Sequence, residues 1–250
     1  MIEVTAVGRV LRIALNRPEK RNALNLAACR ELLSAIDRAE SDPAIGVILM
    51  SGNGPAFSAG MDLQEVLGAD PGELTEVHER LFTIIHRVRK PVIAAIHGAA
   101  LAAGTGLAAN AHIVIASADA RFGLTEIRLG LWPVIIFRSV ARAIGERRAT
   151  ELSLTGRIFT AEEALEFGLV TEIADDPMAR ALEVAKALSE FSPVATAAGL
   201  EYVHRIRAMD WEDAATVGHK MRDELMATDD FREGVRAFLE KRKAVWPSLG

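Results

Sequence analysis

The stretch that decides the fold is residues 97–133, HGAALAAGTGLAANAHIVIASADARFGLTEIRLGLWP. Its first part consists almost entirely of Gly and Ala, an apolar run follows, and Glu126 comes soon after the short segment RFG. Small residues allow a backbone to approach a ligand closely, and short apolar runs are typical of buried parallel strands. We therefore interpret the stretch as a ligand-contacting loop next to a buried sheet, with one carboxylate nearby.

Strand-like and helix-like segments alternate on both sides of this stretch. Residues 2–16 alternate as a hairpin around Gly8-Arg9, and the apolar runs 47–52 and 92–98 predict buried parallel strands. Helical periodicity covers residues 73–88 and ends at Lys90-Pro91. A strand, turn and helix recur at a spacing of roughly 45 residues, which favours a stacked or spiral layout.

After residue 177 the chain contains only helical patterns. Strand–helix alternation followed by helices alone predicts an α/β protein with a helical C-terminal module. We place the α/β core at residues 1–190 and the helical region at residues 191–250.

Composition restricts the possible functions. The 250 residues carry a net charge of -5, which argues against a general nucleic-acid surface, and the one cysteine excludes an intrachain disulfide. The histidines are too scattered to predict a metal site.

Residues 91–109 are long enough to span a membrane, but they are dominated by Ala and Gly and contain His97. With no basic, apolar leader at the N-terminus, we expect a cytoplasmic protein without a membrane segment.

A dinucleotide-binding loop is one alternative for the glycines. Gly104, Gly106 and Ala109 match the spacing G-x-G-x-x-A, and Glu126 lies 20 residues past Gly106. The context does not fit, because Gly98 to Ala103 separate the strand from the motif. We therefore predict no bound cofactor.

An oxyanion site explains the small residues better. Backbone N–H groups in such a loop can hold a carbonyl oxygen that becomes negatively charged during a reaction. A second small-residue loop is then needed, and FSAGMDL at residues 57–63 is the candidate.

Five stretches in order resemble the crotonase superfamily, the enoyl-CoA hydratase/isomerase family. They are NRPEKRNALN, PAFSAGMDL, the stretch from residue 97, LTGRIFTAEEALEFGLV and FREGVRAFLEKRK. The resemblance spans nearly the whole chain. It implies a spiral of ββα units, a helical C-terminal region that forms trimers or dimers of trimers, and an acyl-coenzyme A thioester as substrate, the coenzyme A being part of that substrate.

The resemblance also implies a set of site residues. The backbone N–H groups of Met61 and Ala103 would hold the thioester oxygen, and Glu126 would be the acid–base group. Coenzyme A and the rest of the substrate would lie along Arg21, Ala23, Leu24, Ala59, Asp62, Leu63, Gly104 and Trp132. Lys241, in the last predicted helix, would contact the phosphates of coenzyme A, either in its own subunit or in a neighbouring one.

The sequence departs from the family pattern at Gly106, where hydratases have the first of two glutamates. Adding water requires a base for the water and an acid for the α-carbon, whereas one carboxylate suffices to move a proton along the acyl chain. This favours enoyl-CoA isomerisation or a similar proton transfer by Glu126. A hydratase with one glutamate is the alternative, and a non-catalytic CoA-binding protein is an alternative of another class.

A second departure is the segment GLWPVIIF at residues 130–137. Trp132, Ile135 and Ile136 predict a bulky, dry wall beside the acyl chain. A dry pocket raises the pKa of a carboxyl group, which suits Glu126 as a base for a carbon acid.

Overall fold

Ten strands and eleven helices make up the fold of residues 1–249, which this computed structural model describes apart from the Ile85 side chain. The strands are β1 (Ile2–Val7), β2 (Val10–Leu15), β3 (Val47–Gly52), β4 (Ala56–Ser58), β5 (Val92–Ile96), β6 (Ala99–Leu101), β7 (Ile113–Ala116), β8 (Arg121–Gly123), β9 (Ile158–Thr160) and β10 (Glu172–Ile173). The helices are α1 (Leu26–Ser41), α2 (Leu63–Val66), α3 (Pro71–Phe82), α4 (Ala103–Ala109), α5 (Val134–Ile144), α6 (Glu146–Thr155), α7 (Ala161–Phe167), α8 (Pro177–Ser189), α9 (Pro193–Arg205), α10 (Trp211–Met226) and α11 (Asp229–Leu239).

The strands form two sheets. The larger has the order β1-β2-β3-β5-β7-β10, antiparallel at β1-β2 and parallel elsewhere, and the smaller has the order β4-β6-β8-β9. Three times in succession the chain adds a strand to the large sheet, then one to the small sheet, and then continues into helix. These ββα turns are the spiral predicted from the resemblance, and they explain the recurring strand–turn–helix pattern of the sequence.

Apolar burial holds the spiral together. The strands of the large sheet between β2 and β7 are hydrophobic on both faces, as expected for parallel strands that are covered on both sides. One face packs on α1, whose Asn25 accepts a hydrogen bond from the Ala28 amide and caps the helix. The other face packs on α8 through Ala181 and Ala185. Both faces of the large sheet are therefore covered by helices.

Several predicted boundaries were wrong. The helix expected at residues 73–88 is α3, which begins at Pro71 behind an Asp70 cap and ends at Phe82, followed by a 3₁₀ turn. Lys241 lies after α11 and not in it, with a φ of 55°. The short strand β9 was not predicted, because its residues carry no alternating pattern of their own and pair only with β8.

The helical C-terminal region begins with α9, whose capping residue Ser192 donates a hydrogen bond to the buried Asp230 on α11 over 2.5 Å. Two large apolar side chains of this region, Trp211 and Phe238, are 93% and 83% exposed. That this region joins copies of the chain stays a prediction. Among residues 1–249, no helix combines the length and the apolar composition that crossing a bilayer would require.

His112, immediately before β7, makes acid stability a testable property of the fold. Its Nδ1 accepts a hydrogen bond from the Val92 amide at 2.9 Å, and burial lowers the pKa of the imidazole to about 4. The unfolded chain takes up this proton near pH 6.5, so stability falls as the pH drops from there towards 4. We expect the acid-induced loss in the free energy of unfolding to be about 2–3 kcal/mol smaller in His112→Gln than in the wild type.

The measurement is the free energy of unfolding in urea at pH 7 and pH 4.5 for both proteins. His219→Gln, at an exposed position on α10, is the matched control and should behave as the wild type does. An equal acid-induced loss in the wild type and in His112→Gln would contradict the prediction.

Candidate active site

Three parallel strands of the small sheet end at the same edge. β6 lies between β4 and β8, with Ser58 opposite Ala100 and Leu101 opposite Gly123. Because the carboxyl ends of parallel strands meet at one edge, the three segments that follow them come together there. These segments carry Met61, Ala103 and Glu126, the three predicted catalytic residues.

The first segment, residues 59–61, is held by the loop before α1. Met61 forms a parallel bridge with Leu24, whose amide donates to the Gly60 carbonyl over 2.7 Å. Asn22 is buried and donates through Nδ2 to the carbonyls of Asn53 and Ala56 at 2.9 and 2.7 Å. These bonds fix the backbone that presents the Met61 amide.

The second segment turns sharply at Ala102, which has a φ of 49° and a ψ of -116°. An L-residue rarely adopts a positive φ, and such strain persists only where the surroundings impose it. Here the Ala102 amide donates to the Gly123 carbonyl at 2.8 Å, and the Thr105 hydroxyl lies 2.6 Å from the Ala100 carbonyl. The turn exposes the Ala103 amide at the first position of α4.

The segments that carry the two amides lie against each other. A Cβ placed on Gly60 would be 2.9 Å from the Leu101 carbonyl oxygen and 3.6 Å from the Ala103 nitrogen, so the two segments touch. Within residues 1–249, neither the Met61 nor the Ala103 amide donates a hydrogen bond to the protein. A pair of unpaired neighbouring N–H groups is the arrangement that stabilises a developing oxyanion.

Glu126 begins a 3₁₀ turn after β8 and faces the same space. Its Oε2 is fully buried and has no hydrogen-bond partner among the described residues. Burial is the main influence on this carboxyl group and raises its pKa, against a smaller lowering by a backbone hydrogen bond. A carboxyl group with a raised pKa can give and take protons near neutral pH.

All three groups line one cavity of about 340 Å³. Its walls are otherwise mostly apolar and include three predicted residues, Ala59, Leu63 and Trp132. The wall also contains Ile135 and Ile136, as expected for the GLWPVIIF segment. Sequence reasoning missed the contribution of α3, which supplies Leu74, Thr75, His78 and Phe82. Only the helical spacing of Leu74, His78 and Phe82 indicates that these three share a face.

Gly106, the position of the missing glutamate, has no room for a side chain. A Cβ there would lie 2.4 Å from Ile136 Cγ2 and 3.0 Å from Phe82 Cε1. Two apolar side chains therefore fill the space that a first glutamate would enter. The packing around Gly106 therefore leaves no space for a carboxylate side chain at this position.

The other predicted substrate residues stand next to the cavity or apart from it. Asp62 is buried and paired with Arg17 at 2.9 Å, and it caps α2 through the Gln64 amide. Gly104 is buried, with a Cβ position only 2.5 Å from the Ser58 carbonyl. Arg21, Ala23, Leu24 and Lys241 are not among the residues that line the cavity. Their roles in binding substrate stay predictions.

Fold and site together define a crotonase-type protein, and comparison with known proteins gives the family. The crystal structure of enoyl-CoA hydratase from Bacillus anthracis superposes with a TM-score of 0.93 at 30% identity, covering 99% of both chains. The sequence pattern described as Enoyl-CoA hydratase/isomerase matches residues 5–248. The chain belongs to the enoyl-CoA hydratase/isomerase family.

Curated relatives of this chain carry hydratase names. The 2,3-dehydroadipyl-CoA hydratase of Escherichia coli is 35% identical over 238 residues, which are 94% of this chain and 93% of that protein. The mevalonyl-coenzyme A hydratase of Aspergillus fumigatus is 37% identical over 246 residues, which are 95% and 91% of the two chains. These names favour the hydratase alternative over the isomerase that the missing glutamate suggested.

The packing around Gly106 predicts the effect of the smallest substitution there. Gly106→Ala places a methyl group against Ile136 and Phe82, which we expect to destabilise the protein by about 1–3 kcal/mol. Gly199→Ala is the matched control, because Gly199 is also helical but a Cβ there meets nothing within 4 Å. That variant should gain about 0.5–1 kcal/mol from helix propensity.

Urea denaturation gives both free energies. Combining Gly106→Ala with Ile136→Ala should cost less than the two single changes add up to, because the second removes the clash that the first creates. A stable Gly106→Ala single variant would show that the space is not filled.

Proposed function

We propose that this chain is an enzyme that acts on an enoyl-CoA thioester by stabilising its enolate. The Met61 and Ala103 amides bind the thioester oxygen, and Glu126 exchanges a proton with the carbon next to the thioester. The observation that carries the proposal is the meeting of two unpaired amides and one buried carboxyl group in a single cavity.

Reversible hydration of a 2-enoyl-CoA is the first candidate reaction. It agrees with the names of the curated relatives, and the enolate that water addition requires is the species that the amide pair stabilises. Glu126 is then the acid that protonates the α-carbon, which its raised pKa favours.

Isomerisation of a 3-enoyl-CoA is the second candidate, and the filled space at Gly106 favours it. With Ile136 and Phe82 in place of a second carboxylate, Glu126 alone can take a proton from one carbon and return it to another. A protein that binds CoA without catalysis is the third possibility. It would bind acyl-CoA tightly and convert neither enoyl thioester.

We further propose that the coenzyme A moiety lies along the 21–24 loop and residues 59–63, with Lys241 near the phosphates. We also propose that the chain forms a homotrimer or a dimer of trimers in the cytoplasm. We propose that it uses no cofactor besides the coenzyme A of its substrate.

Two assays separate the candidates. Purified protein is incubated with crotonyl-CoA to follow loss of the enoyl thioester chromophore, and with a 3-enoyl-CoA to follow its appearance. We expect hydration to be the faster reaction. Isomerisation without hydration would support the second candidate, and binding without either reaction would contradict the enzyme assignment.

A further inference from the structure

His78 is the one titratable residue besides Glu126 among the described residues that line the cavity. It lies on α3 between Leu74 and Phe82, which face the cavity one turn before and one turn after it. The residue is only 7% exposed, and its Nε2 is fully buried without a hydrogen-bond partner in the part of the chain that the structure describes. A buried polar atom without a partner is costly, which indicates that something else satisfies it when the cavity is occupied.

His78 packs near Phe82, which is one of the two side chains that fill the space of the missing carboxylate. Phe82 lies 3.0 Å from the Cβ position of Gly106, and the rings of His78 and Phe82 are 6.3 Å apart between centroids. Phe82 therefore meets the Gly106 position, and His78 lines the cavity one turn before it on the same face of α3. Hydration requires a second acid–base group, and His78 is available to supply it.

We propose that His78 is the catalytic base that activates water in the hydration reaction, taking the place of the glutamate that Gly106 lacks. The inference rests on the proposed function, because it assumes that a 2-enoyl-CoA occupies the cavity with its oxygen on Met61 and Ala103. It adds a second catalytic residue, from an element that the sequence pattern presents only as an amphipathic helix.

The step balances in protons and electrons. His78 Nε2 takes a proton from water while the water oxygen bonds to C3 of the enoyl group. The electron pair of the C2–C3 double bond then forms a C1–C2 double bond, and the π pair of the thioester carbonyl moves to its oxygen, giving an enolate held by the two amides. Protonated Glu126 then gives its proton to C2, and the proton on His78 passes through solvent to restore Glu126.

The charge state of each group agrees with its role. Burial lowers the pKa of His78, opposed by the nearby negative charge of Glu65, so the imidazole is neutral and able to accept a proton. Glu65 also accepts a hydrogen bond from the Leu26 amide at 2.7 Å, which holds this charge in place. Burial raises the pKa of Glu126, so its protonated form persists to higher pH. Environments that shift the pKa values of two groups in opposite directions in this way are typical of an acid and a base that act together.

The test compares His78→Gln with the control His219→Gln in two reactions. The first is hydration of crotonyl-CoA. The second is exchange of the C2 hydrogens of butyryl-CoA with deuterated solvent, which needs Glu126 and the amide pair but no activated water. We expect His78→Gln to lower kcat for hydration about 10²–10⁴-fold while KM and the exchange rate stay close to wild type. The acidic limb of the kcat/KM profile should disappear with the imidazole.

Each result bears on the proposal. Hydration by His78→Gln within threefold of wild type overturns it, and so does a wild type that exchanges C2 hydrogens but hydrates nothing. The absence of both reactions in the wild type refutes the proposed function as well, so the two failures can be told apart. If His78→Gln does not fold, His78→Asn and the pH profile of the wild type decide. A wild-type kcat/KM for hydration without an acidic limb would contradict a histidine base.

Discussion

Glu126→Gln is expected to lower turnover of the enoyl-CoA substrate about 10²–10⁴-fold, with little change in KM. Glutamine has nearly the same size and still accepts a hydrogen bond, but it cannot transfer a proton. The cavity keeps its shape and the two amides still bind the thioester oxygen, so substrate binding persists. The measurement is steady-state kinetics of hydration and isomerisation for wild type and variant. Unchanged turnover would refute Glu126 as the acid–base group.

The same substitution is expected to stabilise the protein at neutral pH. Burial raises the pKa of Glu126 in the folded state, so the folded state binds this proton more strongly than the unfolded chain does. The stability from this group is complete below the unfolded pKa and is lost as the pH rises through the folded pKa. At pH 7, above the unfolded pKa, the wild type has lost at least part of this stability, whereas glutamine has no such pH dependence.

Thermal unfolding at pH 7 and pH 4 checks this sign. Tm of Glu126→Gln should exceed that of the wild type at pH 7, and the difference should shrink at pH 4. Glu166→Gln, at an exposed position on α7, is the control and should leave both Tm and turnover unchanged. Loss of activity with higher stability is the combination that a functional buried acid predicts. Equal Tm differences at the two pH values would contradict it.

Much of the fold could be predicted because the relevant information is local. The Gly8-Arg9 turn pairs Val7 with Val10, as the hairpin predicted for residues 2–16 requires. The apolar runs at β3 and β5 are buried parallel strands, as their composition predicted. The three segments that meet at the cavity were predictable for another reason, since the five stretches that resemble the family imply a shared site for Met61, Ala103 and Glu126.

The rest depends on contacts between distant parts of the chain. The filled space at Gly106 arises where Phe82 of α3 meets Ile136 of α5, and neither residue is near Gly106 in sequence. The Nε2 of His78 lacks a partner because of what surrounds it in the folded chain, and one histidine on an amphipathic helix does not reveal that. The isomerase interpretation counted only carboxylates, so it did not consider His78 as a second acid–base group.

Gly60→Ala should separate the two amides and so tests the oxyanion site without touching Glu126. Gly60 has a φ of 98°, and an added Cβ would lie 2.9 Å from the Leu101 carbonyl oxygen and 3.0 Å from the Ala102 Cβ. Neither neighbour can move freely, because Ala102 is already strained and held by its hydrogen bond to Gly123. The methyl group must therefore push the Met61 segment away from Ala103. Losing one oxyanion donor costs about 10²–10³ in kcat, and we expect a loss of this size.

Gly8→Ala is the control that separates the effect of the clash at Gly60 from the cost of a positive φ. Gly8 also has a positive φ, 58°, but a Cβ there meets nothing within 4 Å, so Gly8→Ala carries the backbone strain without a clash. Both variants should lose about 1 kcal/mol of stability from that strain, and only Gly60→Ala should lose turnover. Exchange of the C2 hydrogens of butyryl-CoA should fall with hydration in Gly60→Ala, because both reactions pass through the enolate. Full exchange in Gly60→Ala would mean that the thioester oxygen is held elsewhere, and the amide pair would then have no part in the chemistry.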